Sequence, residues 1–170
     1  MSEKLSVLNT VLFDLEGTLV DFQWNLKDAA QEILGHLSNY GINPEIYGPD
    51  PDYARLYNTT QSHIIPWPQN RKARLFRSLS PIYDKYDTDA LSRWQPYPDT
   101  QNTLEQLYRK QFRMGIVSNC GRTAVTRVLE KFNLISYFKV IISRDDVTLV
   151  KPDSEGLQIA CTQMYTAPQD

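Results

Sequence analysis

At 170 residues, with 41% hydrophobic and 22% charged side chains, 7 Gly and 10 Pro, the chain has the composition of a soluble globular protein, one compact domain with room for an insert, which excludes fibrous and disordered classes. Its 18 basic against 20 acidic side chains leave a formal charge of −2, so no global positive field draws nucleic acid or anionic lipid, and no nucleic-acid partner is expected. Cys120 and Cys161 stand outside any CxxC or Cys/His cluster, which excludes a disulfide framework and a structural zinc site and points to a reducing compartment.

The N-terminal MSEKLSVLNTVLFDLEG holds an apolar stretch too short to span a membrane, broken at Asp14 and followed by no small-residue cleavage site. A cytoplasmic location without a membrane partner is therefore expected. Within it, residues 8 to 14 read as a buried strand that ends at a carboxylate, with Gly17 and Thr18 marking a polar turn. Residues 21–97 show aromatic-rich helical patterns, with candidate helices near 26 to 39, 51 to 62 and 70 to 93, and Pro or Gly breaks that include Gly41, Pro44, Gly48, Pro66 and Pro81. No strand-like run occurs there. After Pro98, Thr100 is expected to cap a helix with Leu104, Leu107 and Tyr108 on one face, followed by a strand over 113 to 119. A helix from Thr123 to Phe132, a strand from Phe138 to Ile142, and a helix capped by Asp153 complete the pattern. Strand and helix alternation of this kind predicts a parallel sheet covered on both faces. The predicted core is discontinuous, 1–20 and 98–170, with a helical insertion over 21–97.

In an open parallel sheet, ligands gather outside the carboxyl ends of the strands, and the predicted strands deliver Asp14 and Ser118 there, with Lys151 in a following loop. A carboxylate, a hydroxyl and an ammonium at one sheet edge suit an anionic substrate: the first attacks while the others hold developing negative charge. Asp14 and Glu16, at i and i+2, fall on one side of an extended segment, so one carboxyl attacks while the other shuttles a proton.

These residues also carry a resemblance. FDLEGTLVD at 13 to 21, IVSN at 116 to 119 and VKPD at 150 to 153 resemble, in order and setting, the first three motifs of the haloacid dehalogenase superfamily. The resemblance implies a Rossmann-like three-layer α/β/α parallel sheet with a mobile helical cap at 21–97. It implies that Asp14 is the nucleophile that forms an aspartyl-phosphate and also a Mg²⁺ ligand. Glu16 is implied as general acid/base, with its backbone carbonyl a second metal ligand, Ser118 as hydrogen-bond donor to the phosphoryl oxygens, and Lys151 as the neutralising charge. Thr18 and Asn119, in the same motifs, are expected to contact the substrate. The implied activity is a Mg²⁺-dependent phosphatase acting on a small phosphorylated metabolite; protein partners are not implied.

Two departures from the family pattern stand out. The position of Glu16 is usually Asp in the phosphatases; Glu there resembles the enolase-phosphatase branch, whereas the dehalogenases lack a carboxylate, so Glu16 favours phosphate chemistry. The fourth motif, an acidic strand end that completes the Mg²⁺ site, has nowhere to occur after Lys151, and the chain reads as truncated, its C-terminal strands missing. Mg²⁺ binding through the remaining oxygens is then expected to be weaker. The alternative function is a truncated or degenerate member that binds a phosphorylated ligand or a protein without turnover. Asp145 and Asp146 are not assigned as substitute ligands, Asp21 reads as a hinge or capping residue, and Trp24, Trp67 and Trp94 read as packing. His63, Arg71, Lys72 and Arg74 form a charged helix face, most simply a solvated one.

Overall fold

The structure is a computed structural model and describes residues 9–167. Three strands, β1 (Thr10–Phe13), β2 (Arg113–Val117) and β3 (Phe138–Ile142), form a parallel sheet in the order β1-β2-β3. Between β1 and β2 lie α1 (Leu26–Asn39), a 3₁₀ turn at Pro44–Tyr47, α2 (Tyr53–His63), α3 (Gln69–Arg93) and α4 (Thr100–Arg109). Helix α5 (Arg122–Lys131) links β2 to β3, and α6 (Glu155–Gln163) follows. Among the described residues, no helix is long and apolar enough to cross a membrane.

Side-chain alternation along the strands, interrupted by a register shift between Met114 and Gly115 that lets Phe138 and Val140 face opposite layers, assigns the layers. Met114, Ile116 and Phe138 join the large core that Leu104 of α4 and Val125, Val128 and Leu129 of α5 fill. Val117, Val140 and Ile142 face the other way and pack on Ala160 of α6 and on Met164. Gly115 permits that second contact: a Cβ there would lie 2.9 Å from both Leu12 Cδ2 and Met164 Sδ. The result is the three-layer arrangement that the alternation predicts.

Several local expectations are corrected. The first strand was expected over 8 to 14 and fully buried; Leu8 lies outside the described residues, and Thr10–Phe13 are only partly buried, because β1 pairs with β2 alone among the described strands. The second strand stops at Val117, two residues early, as Ser118 and Asn119 turn out of the ladder. Thr100 is not the cap of α4: Asp99 occupies that position, and the Thr100 hydroxyl donates instead to the Leu19 carbonyl at 2.8 Å, fastening α4 to the segment after β1. Ser154 is the N-cap of α6, although Asp153 Oδ1 does accept the Glu155 N–H at 2.9 Å. Pro81 does not break α3; it lies on the exposed side of that helix.

Residues 21–97 hold no named strand, and α1 matches its predicted bounds. The cap chemistry is local: Asn25 accepts from the Asp28 N–H, and Asp52 accepts from the Arg55 N–H at 2.7 Å. Trp24, Tyr53, Tyr57, Tyr83 and Tyr86 form a chain of ring contacts with centroids 5.0–6.1 Å apart. Where the chain leaves and re-enters the sheet, Val20 bridges Pro96, the Asp21 N–H donates to Gln95, and the Gln95 N–H returns a bond to Asp21 Oδ1 at 2.7 Å. That bond, with a further one from Gln23, holds the Asp21 carboxyl below its ordinary pKa.

Candidate active site

Asp14 is the first residue beyond β1, exposed at the carboxyl end of the sheet. Its Oδ1 accepts the Leu15 N–H at 2.7 Å and lies 2.5 Å from Lys151 Nζ. The same ammonium donates to the Val117 carbonyl, at the end of β2, at 2.9 Å. Lys151 thus spans two adjacent strand ends, and the loop that carries it is held by two asparagines. Asn119 takes the Lys151 N–H at 2.9 Å and returns a bond to the Lys151 carbonyl at 3.1 Å. Asn58, from α2, does the same for Val150, with both bonds at 2.8 Å.

The chain after Asp14 turns back on the Leu15 carbonyl, which accepts from Leu19 at 2.9 Å and Val20 at 3.0 Å. Gly17 adopts φ +74°, which a side chain would strain. This turn places Glu16 in the same cavity as Asp14, so the two carboxyls share a side, as the i, i+2 spacing suggests. Glu16 Oε2 accepts from Cys120 Sγ at 2.8 Å, while Oε1 is buried with no hydrogen-bond partner. Burial pushes the Glu16 carboxyl from its ordinary 4.5 up to about 7, and the nearby Asp87 and Asp14 add to that rise, against the opposing Cys120 bond. Burial also raises the Cys120 thiol well above its ordinary value, so Cys120 remains a donor.

Asp14, Glu16, Asn119 and Lys151 line one cavity of about 430 Å³. Ser118 and Thr18 are not among its lining residues. Ser118 is buried, its Oγ accepting the N–H of the lining residue Cys120 at 3.0 Å, and Thr18 is exposed on the turn. His63, Arg71, Lys72 and Arg74 also lie outside it, and Arg71 stacks on Trp67 at 3.6 Å. Asp145 accepts the Arg122 N–H at 2.8 Å, at the start of α5, and Asp146 accepts the Ser143 N–H at 2.7 Å and pairs with the Arg122 guanidinium, so both tie the turn after β3 to its surroundings. Among the described residues, no group of three His, Cys, Asp or Glu side chains gathers as a metal site. The oxygen donors of Asp14 and Glu16 are of the hard type that suits Mg²⁺, which keeps waters and substrate phosphate in its shell and needs few protein ligands.

Sequence reasoning missed the support behind this cavity. Asp87 of α3 is buried and accepts from Trp24 Nε1 and the Gly121 N–H, both at 3.0 Å, and from the Arg144 guanidinium at 2.9 Å. A Cβ on Gly121 would stand 2.6 Å from Arg144 Nη2, so this close approach needs glycine. The signal was present in α3: Asp87 falls on the stripe of Tyr83 and Ala90, where a helix of this kind is otherwise apolar.

Comparison with known proteins places the chain in a family. A pyrophosphatase PpaX from Oceanobacillus iheyensis is 28% identical over 167 residues, covering 95% of this chain and 72% of its own. A phosphoglycolate phosphatase from Shigella boydii is 26% identical over 188 residues, covering 98% and 73%. In fold, the chain is similar to a haloacid dehalogenase-like hydrolase from Bacteroides fragilis, with a TM-score of 0.61 at 24% identity over 95% of this chain and 75% of that one. It is also similar to a subfamily IA hydrolase of the same superfamily from Geobacter sulfurreducens, with a TM-score of 0.52 at 20% identity over 95% and 74%. The model of one family, described as haloacid dehalogenase-like hydrolase, matches residues 11–170, and the chain belongs to that family of hydrolases.

Proposed function

We propose that the chain is a Mg²⁺-dependent phosphatase that cleaves a small phosphomonoester through an aspartyl-phosphate on Asp14. The observation that carries this reading is the Asp14–Lys151 pair at 2.5 Å, open to a cavity that also holds a carboxyl with a pKa near neutrality. The names of the relatives, a pyrophosphatase and a phosphoglycolate phosphatase, support phosphoryl chemistry. We further propose that residues 1–20 and 98–170 act as the catalytic core and 21–97 as a cap.

In this reading, the Asp14 oxygen not engaged by Lys151 attacks phosphorus, and the bond to the leaving oxygen breaks as the new P–O bond forms. Glu16 enters protonated, since its pKa is about 7, and gives its proton to the leaving oxygen. Its carboxylate then takes a proton from the water that hydrolyses the aspartyl-phosphate. Lys151 offsets negative charge on Asp14 and on the phosphoryl group. Ser118 holds the turn at Cys120, and Asn119 fixes the lysine's backbone. Asp14 and the Glu16 main-chain carbonyl would hold Mg²⁺, which when bound neutralises charge on the phosphoryl oxygens.

Hydrolysis of p-nitrophenyl phosphate with and without Mg²⁺, with Asp14→Asn as control, tests the proposal. Turnover that needs both the metal and Asp14 is the expected result. Folded protein with no turnover overturns it in favour of a protein that binds a phosphorylated ligand or a protein without turnover.

A further inference from the structure

Beside its charged residues, the cavity has a largely apolar lining. Phe22 and Leu26 belong to it, 51% and 42% exposed, so their apolar surface is open to an occupant of the cavity. Trp24, Tyr53 and Pro152 complete the wall. The polar atoms of the two larger rings are already engaged by protein partners. Trp24 Nε1 donates to Asp87 and the Tyr53 hydroxyl to the Asn119 carbonyl at 3.4 Å, and the rings meet edge to face at 5.0 Å. Carbon surface is therefore what these rings offer an occupant.

The charges give an independent constraint. Among the described residues, Lys151 is the one cation lining the cavity, and it is engaged by Asp14 and the Val117 carbonyl. The remaining rim charge is Asp52, one of whose oxygens caps α2. Lys27 lines a neighbouring hollow beyond Leu26, where Asp50 and Asp52 also lie. A carboxylate or second phosphate on the leaving group would lose its water and meet carboxylates instead of donors.

We infer that the phosphomonoester this site takes has an aromatic or apolar leaving group with no negative charge of its own, seated against Phe22, Leu26 and the Trp24–Tyr53 pair. This inference rests on the phosphatase reading for its substrate, but its test does not depend on turnover. Two unreactive phosphonates of similar length separate the cases: benzylphosphonate presents a ring, and 3-phosphonopropionate presents a carboxylate. Calorimetric titration of each into the full chain with Mg²⁺ should give a Kd at least about tenfold lower for benzylphosphonate, with inorganic phosphate displacing it. Phe22→Ala should weaken benzylphosphonate about fivefold or more and leave 3-phosphonopropionate within about twofold. Leu26→Lys should strengthen 3-phosphonopropionate. Equal or reversed affinities, no binding of either probe at millimolar concentration, failure of phosphate to compete, or indifference to Phe22→Ala would each overturn the inference. Turnover of p-nitrophenyl phosphate alongside a reversed preference sinks the inference and spares the phosphatase. Ring-selective binding without turnover does the opposite.

Discussion

Asp87 of α3 and Arg144 of the turn after β3 meet at 2.9 Å with side chains only 4% and 5% exposed, so a buried ion pair joins the helical insertion to the end of the sheet. The net worth of such a pair is small, because desolvation offsets attraction, but removing one member strands the other. Asp87→Ala should therefore lower unfolding stability by about 3–5 kcal/mol in urea titrations. The double variant Asp87→Leu with Arg144→Met should recover the part of that loss due to the stranded guanidinium, while the Trp24 Nε1–H and Gly121 N–H stay without their acceptor; a double variant no better than the single would show that those two bonds carry the cost.

Gly121 supplies a second test of the same junction. A methyl group there would sit 2.6 Å from Arg144 Nη2 and 3.0 Å from Asp87 Oδ2. Both groups are buried and held by partners, so neither gives way cheaply. Gly121→Ala should cost about 1–3 kcal/mol, seen as a lowered Tm, whereas Gly35→Ala, with nothing within 4 Å of the added carbon, should not.

Glu16 makes stability and activity depend on pH in a stated direction. Its carboxyl titrates at about 7 in the folded chain against 4.5 ordinarily, so between those values the folded state holds a proton that the unfolded state has released. Stability should thus fall as pH rises from 4.5 to 7, by up to about 3 kcal/mol. Glu16→Gln should flatten that slope and be the more stable protein at pH 8. Turnover by the parent chain should also decline above pH 7, where Glu16 no longer carries the proton it donates.

Asn58 links α2 to the loop that bears Lys151 through two 2.8 Å bonds to Val150. Asn58→Ala leaves a nearly buried main-chain pair without those partners and should cost about 1–3 kcal/mol. Because Lys151 follows directly, kcat for p-nitrophenyl phosphate should fall while the fold, followed by circular dichroism, stays intact.

The features legible in the sequence are those set by local pattern. Helical periodicity located α1 at its observed bounds and placed α2 and α3 within two residues, and the strand-to-turn transition at Asp14 located one half of the Asp14–Lys151 pair. Thr100 shows where local reasoning fails: its hydroxyl had a plausible neighbour in its own helix, yet it bonds Leu19, 81 residues away. Asn58, Asp87 and Arg144 were invisible for the same reason, since each earns its role from a partner on a distant element. The Glu16–Cys120 contact, 104 residues apart, is of the same kind.

The two asparagine clasps grip main chain, so they hold the loop at position 151 whatever its side chain, which has its own separate bonds to Asp14 and the Val117 carbonyl. Architecture and reactivity at that residue are thereby inherited separately. A change of Lys151 to a neutral residue would leave both clasps in place while removing the positive charge that faces Asp14, so a silent variant need not be a misfolded one.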